Sequence, residues 1–163
     1  MKPIVNTTKT VLDRNLPIAT KNRPVARIGS SNPLAPKPGN GAKHRILVVD
    51  DEKPIADSLV FLLNHEGFMA TAAYSGEEAQ RSAAGNPVHL LISDVMMPGV
   101  NGVESAIQIC KVSPACKVIL FSGHEDAPAL VERAKGEGYN FELIQKPLHP
   151  QELLSKLRIA LAR

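Results

Sequence analysis

From residue 45 onward the apolar positions change period again and again. Ile46-Leu47-Val48-Val49 is a continuous aliphatic run that ends abruptly in Asp50-Asp51-Glu52, the pattern of a buried strand. Pro54 then falls where a first helical turn tolerates it, and Ile55, Leu59, Leu62 and Leu63 recur at helical spacing until Gly67 closes the helix. Residues 68–73 predict a weaker strand. Ser75-Gly76-Glu77-Glu78 has the spacing of a capping box, opening a second helix that stops near Gly85-Asn86-Pro87. Leu90-Leu91-Ile92-Ser93-Asp94 follows, too short for a free-standing helix and bounded by Pro87 and Pro98, so it predicts a buried central strand.

After the Pro98-Gly99 turn, Val103, Ala106, Ile107 and Cys110 predict one face of a third helix. Lys117-Val118-Ile119-Leu120-Phe121 is a further buried strand, ending in Ser122-Gly123-His124. Residues 127–135 carry a modest stripe of Leu130 and Ala134. Residues 141–145 predict a fifth strand ending in Lys146-Pro147, and Pro150 opens a last helix with Leu153, Leu154, Leu157 and Leu161 inward. Strand and helix alternate five times, and the central strands are aliphatic throughout, as strands covered on both faces are. The expected fold is α/β: a doubly wound, five-stranded parallel sheet with helices on both faces.

Composition changes this picture mainly at the front of the chain. Of 163 residues, 44 % are hydrophobic and 21 % charged, values of a globular chain, and no run reaches the roughly 18 apolar residues of a membrane span. Residues 1–43 differ: they hold eight Lys or Arg against one acid, Asp13, and six of the thirteen prolines. Residues 44–163 hold eleven bases against fifteen acids. The overall charge of +3 is therefore an average of two unlike parts. Residues 1–43 are expected to be a disordered, basic, Pro-rich leader, a solvated spacer more than a nucleic-acid arm, because the charges are scattered and aromatics are absent. The domain is expected over 44–163. The first residues lack the apolar core of a secretory signal, and Cys110 and Cys116 make neither a disulfide framework nor a metal set, so a cytoplasmic chain with buried, reduced thiols is expected.

In a parallel sheet every carboxyl end lies along one edge, where open α/β sheets bind ligands. That edge would collect Asp50 and Asp51, Asp94, Ser122 and Lys146. Turns are polar anyway, and Asp94 alone could be a strand-end cap. Three acids, a hydroxyl and a lysine at four strand ends are a stronger pattern. Carboxylates packed together raise one another's pKa unless a cation sits among them. Oxygen-only ligands suit a hard ion such as Mg²⁺. With no thiol or triad histidine beside them, these residues suit transfer of a phosphoryl group to a carboxylate, where positioning and charge neutralisation do most of the catalysis.

These residues resemble the receiver domains of two-component response regulators, over residues 45–163. Asp50-Asp51 is similar to the family's acidic pair, Asp94 to its phosphoacceptor, Met96-Met97-Pro98-Gly99 to the loop that follows, Ser122 to its hydroxyl switch residue and Lys146-Pro147 to its lysine–cis-proline pair. The resemblance implies a flavodoxin-like receiver fold and a Mg²⁺ ion held by Asp51, Asp94 and the carbonyl of Met96, with Asp50 nearby or acting through water. It implies a phosphoryl donor that is a histidine kinase or histidine phosphotransfer protein. It also implies an output surface on the fourth helix, fifth strand and fifth helix, a face through which such domains can dimerise. Three residues before Lys146, where the family carries an aromatic switch residue, this chain has Leu143.

A single-domain phosphoacceptor switch, not a conventional enzyme, is the expectation, with no nucleic-acid binding by the folded part. Two alternatives stand beside it. An aspartyl-phosphate hydrolase of the haloacid dehalogenase type would place its nucleophile after the first strand and a second acid two residues on, where this chain has Met96. A pseudo-receiver that only binds partners would not need the full residue set. His124, two residues past Ser122, is expected to be a solvated loop histidine, and His65, His89 and His149 have no metal-ligand spacing.

Overall fold

The computed structural model describes residues 44–162; the expected leader at 1–43 lies outside them. Ten elements alternate: β1 (Arg45–Val49), α1 (Lys53–His65), β2 (Met69–Ala73), α2 (Gly76–Gly85), β3 (Leu90–Asp94), α3 (Gly102–Val112), β4 (Lys117–Ser122), α4 (Ala127–Gly136), β5 (Glu142–Gln145) and α5 (Pro150–Leu161). The strands pair in parallel in the order β2-β1-β3-β4-β5. This is the doubly wound parallel sheet expected from the alternation, in the flavodoxin-like form that the resemblance implies.

Side-chain alternation along the strands sorts the core into two layers. Leu47 and Val49 join Leu91, Leu120 and the inner residues of α2, α3 and α4, among them Ala79, Ala83, Val103, Ala106, Ile109 and Ala134. Ile46 and Val48 join Ile92, Ile119 and Phe121 beneath Ala56 and Leu63 of α1 and Leu153 and Leu157 of α5. The chain runs one way from β1 to β2 and the other way from β2 across to β3, β4 and β5. Right-handed crossovers therefore put α1 on the opposite face from α2, α3 and α4. The reversal leaves a crevice between β1 and β3, at the ends that carry Asp50 and Asp94. Among the described residues no helix is long and apolar enough to cross a membrane.

Two local expectations shift. The buried face of α3 is Gly102, Val103, Ser105, Ala106 and Ile109, with Ile107 and Cys110 only half-buried at its margin. The helix is rotated because Gly102 and Ser105 are drawn against β3 and α2. At α2, Ser75 caps as expected, its hydroxyl accepting from the Glu78 N–H at 3.1 Å. The Glu78 carboxylate, however, accepts from the N–H of Tyr74 at 2.8 Å, one residue before the cap. Both cysteines are free, Cys116 buried and Cys110 half-buried, and burial pushes the Cys116 thiol up to about 12.

Candidate functional site

The carboxyl edge brings the predicted strand-end residues into one cluster. Asp50 follows the last residue of β1 and is fully buried. Its backbone N–H donates to the Ala73 carbonyl at 3.2 Å, and its Oδ1 accepts from the Glu52 N–H at 2.8 Å. Its Oδ2 is buried without a hydrogen-bond partner, and the nearest cation, Lys146 Nζ, is 3.6 Å away. Burial raises the Asp50 pKa above its ordinary value of 3.8; the Glu52 hydrogen bond and Lys146 pull it down, while Asp94 and Asp51 add to the rise.

Asp94 closes β3, all five of whose residues are buried. Its Oδ1 accepts from the Met96 N–H at 3.1 Å and its Oδ2 from Lys146 Nζ at 2.8 Å. Asp51 is exposed above them, and one oxygen from each of the three carboxylates lies within 4.8 Å of the others. Lys146 is carried there by the end of β5: its N–H donates to the Ser122 carbonyl at 2.9 Å, and the Lys146–Pro147 bond is cis. Its ammonium sits 5.0 Å from the centre of the Phe121 ring. Partial burial alone would lower the Lys146 pKa, but the hydrogen bond and charge of Asp94, then Asp50 and Glu52, outweigh it, and the net direction is up.

Ser122 ends β4 and is buried, its Oγ accepting from the His124 N–H at 3.1 Å, which leaves the hydroxyl proton to donate. Leu143 pairs in register with Leu120, two residues before Gln145 pairs with Ser122. It therefore shares Ser122's face of the sheet, set back from the carboxylates. It is partly buried against the α2–α3–α4 layer, beside Tyr139 and Phe141, whose ring centres are 5.7 Å apart. Met96 and Met97 pack against the same layer, as expected of loop residues. His124 is exposed at the rim.

Gly102 is not among the residues that the strand-end pattern marks. A Cβ there would overlap the Asp94 carbonyl oxygen, so only glycine lets α3 begin against the end of β3. The Gly102 N–H donates to the Val95 carbonyl at 2.9 Å and Ser93 Oγ to the Asp94 carbonyl at 2.9 Å, so the backbone that carries Asp94 is held from two sides. The signal available was the Asn101-Gly102 pair at a helix start, where Asn101 caps by accepting from the Glu104 N–H at 2.9 Å.

Three clustered carboxylates, one with a buried oxygen lacking a hydrogen bond, are a hard-oxygen donor set of the kind a divalent cation such as Mg²⁺ takes. A lysine close to two of them, a hydroxyl on the next strand end and no thiol in the cluster complete an arrangement suited to binding a phosphoryl group. The family model described as the response regulator receiver domain matches residues 46–158. The chain belongs to that family. This receiver is similar to a CheY-like response regulator receiver domain protein from Methanospirillum hungatei, with a TM-score of 0.67 and 28 % identity over 74 % of this chain and 95 % of that one. It is also similar to the response regulator TrrA from Thermotoga maritima, solved in complex with Mg²⁺ and BeF, with a TM-score of 0.63 and 32 % identity over 72 % of this chain and 98 % of that one. The transcriptional regulatory protein YvrH of Bacillus subtilis is 38 % identical over 119 residues, 72 % of this chain and 49 % of that protein. The receiver thus spans about half the length of the curated relatives it matches.

Proposed function

We propose that this receiver accepts a phosphoryl group on Asp94 from a phosphohistidine, in a Mg²⁺-dependent reaction, and either switches partner binding or relays the group. The observation that carries this reading is the double hold on Asp94, by Lys146 Nζ at 2.8 Å and the Met96 N–H at 3.1 Å, inside a cluster of three carboxylates. Receivers take phosphoryl groups from histidine kinases, so the donor is a histidine kinase or a histidine phosphotransfer protein, and the setting is cytoplasmic.

The chemistry follows from the side chains. A carboxylate oxygen of Asp94 forms a bond to phosphorus as the bond from phosphorus to the imidazole nitrogen breaks, and the histidine leaves with the electron pair. Lys146, already between Asp94 and Asp50, neutralises charge on the transferring oxygens. Asp50, Asp51, Asp94 and the Met96 carbonyl would hold Mg²⁺, which supplies charge screening between acceptor and phosphoryl group. Ser122 donates its hydroxyl proton to a phosphoryl oxygen. The added charge of about −1.5 to −2 draws Ser122 and biases the α4–β5–α5 surface, which is the surface for a downstream partner or a second copy. Leu143, which lies on Ser122's face of the sheet, would take the part of the family's aromatic switch residue with an aliphatic side chain.

The test is the intact mass of the protein after treatment with acetyl phosphate. The expected result is one added phosphoryl group on wild type with Mg²⁺, and none without Mg²⁺ or on Asp94→Asn. No addition to the wild type would overturn the reading, and steady turnover of phosphomonoesters would favour the hydrolase instead.

A further inference from the structure

The capping segment Ser75-Gly76-Glu77-Glu78 contains one acid more than a cap needs. Glu78 is engaged with Tyr74 and Ser75. Glu77, in the first turn of α2, instead reaches across to the loop that follows Asp94, where its Oε1 accepts from the Val100 N–H at 3.3 Å. The same oxygen lies over Gly99, whose φ of +74° favours glycine: a Cβ there would come within 2.8 Å of it. Beside it, a Cβ on Gly76 would come within 2.5 Å of the Val100 carbonyl oxygen, and Ser105 Oγ donates to the Gly76 carbonyl at 3.3 Å. The start of α2, the loop and α3 are thus closed on one another. The Glu77 carboxyl is held below its ordinary value by its own N–H first, then by the Val100 N–H and the Ser75 hydroxyl.

The loop is therefore tied at both ends. At its start the Met96 N–H is bonded to Asp94 Oδ1; at its end the Val100 N–H is bonded to Glu77. Between the ties lie Met97, Pro98 and Gly99. A single tie would let the Met96 peptide swing about Asp94, because the Gly99 backbone is permissive.

We infer that Glu77 is a positioning residue for the acceptor site: through Val100 and Gly99 it fixes the loop that presents the Met96 backbone to the carboxylate cluster. The inference rests on the proposed role of the Met96 carbonyl. Its signature is a shift in the Mg²⁺ dependence of phosphorylation, with the rate at saturating Mg²⁺ retained. Loss of metal-supporting contacts elsewhere lowers affinity by about 10- to 100-fold. For this exposed tie the expected effect is smaller, about 3- to 10-fold.

The experiment compares full-length wild type, Glu77→Ala and Glu77→Gln, each labelled with acetyl phosphate across a Mg²⁺ titration and checked for folding by circular dichroism. Glu77→Ala should need about 3- to 10-fold more Mg²⁺ for half-maximal rate and keep its plateau rate within about 2-fold. Glu77→Gln, which retains the accepting oxygen, should stay within about 2-fold of wild type throughout. An alanine variant identical to wild type overturns the inference. So does a glutamine variant as impaired as alanine, which would make the effect one of charge alone, or a fall in plateau rate at unchanged Mg²⁺ midpoint. Amide hydrogen exchange on the wild type needs no variant: a Val100 N–H that exchanges without protection also overturns it. If wild type takes no phosphoryl group at all, the underlying reading fails, an outcome distinct from any of these.

Discussion

At the amino edge of the sheet the strand starts are tied to one another by backbone and side-chain hydrogen bonds. The Arg45 N–H donates to His89 Nδ1 at 2.8 Å, the His89 N–H to the Arg45 carbonyl at 3.0 Å, the Arg45 guanidinium to the Pro87 carbonyl at 2.8 Å, and the Met69 and Lys117 N–H groups to the His44 and His89 carbonyls. At the carboxyl edge the same strands deliver three carboxylates to one place and leave Asp50 Oδ2 buried without a hydrogen bond. A buried, under-bonded carboxylate opposes folding, and proteins keep such groups where ligands compensate them. Strand physics builds both edges, and among the described residues the carboxyl edge is the one that gathers three carboxylates and a lysine in one place.

Glycines at the two edges should respond most differently to an added methyl group. Gly102→Ala forces a methyl group into the Asp94 carbonyl and should cost about 3 kcal/mol or more, lowering the thermal midpoint and abolishing labelling. Gly85, at the end of α2 nearer the amino edge, has open space around it. Gly85→Ala should leave labelling untouched and raise stability by about 0.5–1 kcal/mol, read from denaturant unfolding.

Asp50→Asn comes next. Without divalent cations it should raise stability by about 1 kcal/mol, because it removes a buried charge whose Oδ2 has no hydrogen bond, and with Asp50 among the proposed Mg²⁺ ligands it should also remove most of any stabilisation by added Mg²⁺. The folded chain binds the Asp50 proton more tightly than the unfolded chain. Wild-type stability should therefore fall as pH climbs from 3.8 through the raised value, and this component should be missing from Asp50→Asn. A variant less stable than wild type in metal-free buffer would contradict the contrast between the edges.

The amino edge should give the smaller effect with the opposite pH slope. Burial, then the charges of Arg45 and His44, hold the His89 pKa below 6.5, so the unfolded chain binds that proton more tightly. Stability from the His89–Arg45 bond should be full above pH 6.5 and be lost as pH falls through the lowered value. His89→Ala should cost about 0.5–1 kcal/mol at pH 8, and the difference should shrink on acidification, with no change in labelling.

Much of this contrast is legible in the sequence. Aliphatic runs of Ile46–Val49, Leu90–Ile92 and Val118–Phe121 are buried on both faces, so their hydrophobicity alone marks them, and whatever polar residue ends each run must lie on the shared edge. Asp50, Asp51, Asp94, Ser122 and Lys146 come at the ends of such runs and lie at that edge. What the residue pattern conceals is contact between segments. The closeness of Gly102 to Asp94, the reach of Glu77 to Val100 across 23 positions and the choice of Tyr74 over Ser75 by Glu78 depend on how α2, α3 and the loops meet. The rotation of α3 toward Ile109 has the same origin, since a stripe of Val103, Ala106, Ile107 and Cys110 is an equally good helical period until Gly102 fixes the face.

The most direct test of the proposed function is which of the three neighbouring carboxylates takes the phosphoryl group. Reduction of the acetyl-phosphate-treated protein with borohydride converts an acyl-phosphorylated aspartate to homoserine, and peptide mass mapping then finds the residue. Conversion at Asp94, with Asp50 and Asp51 unchanged, is the predicted result. Conversion at Asp50 or Asp51, or at no aspartate of the cluster, would contradict it.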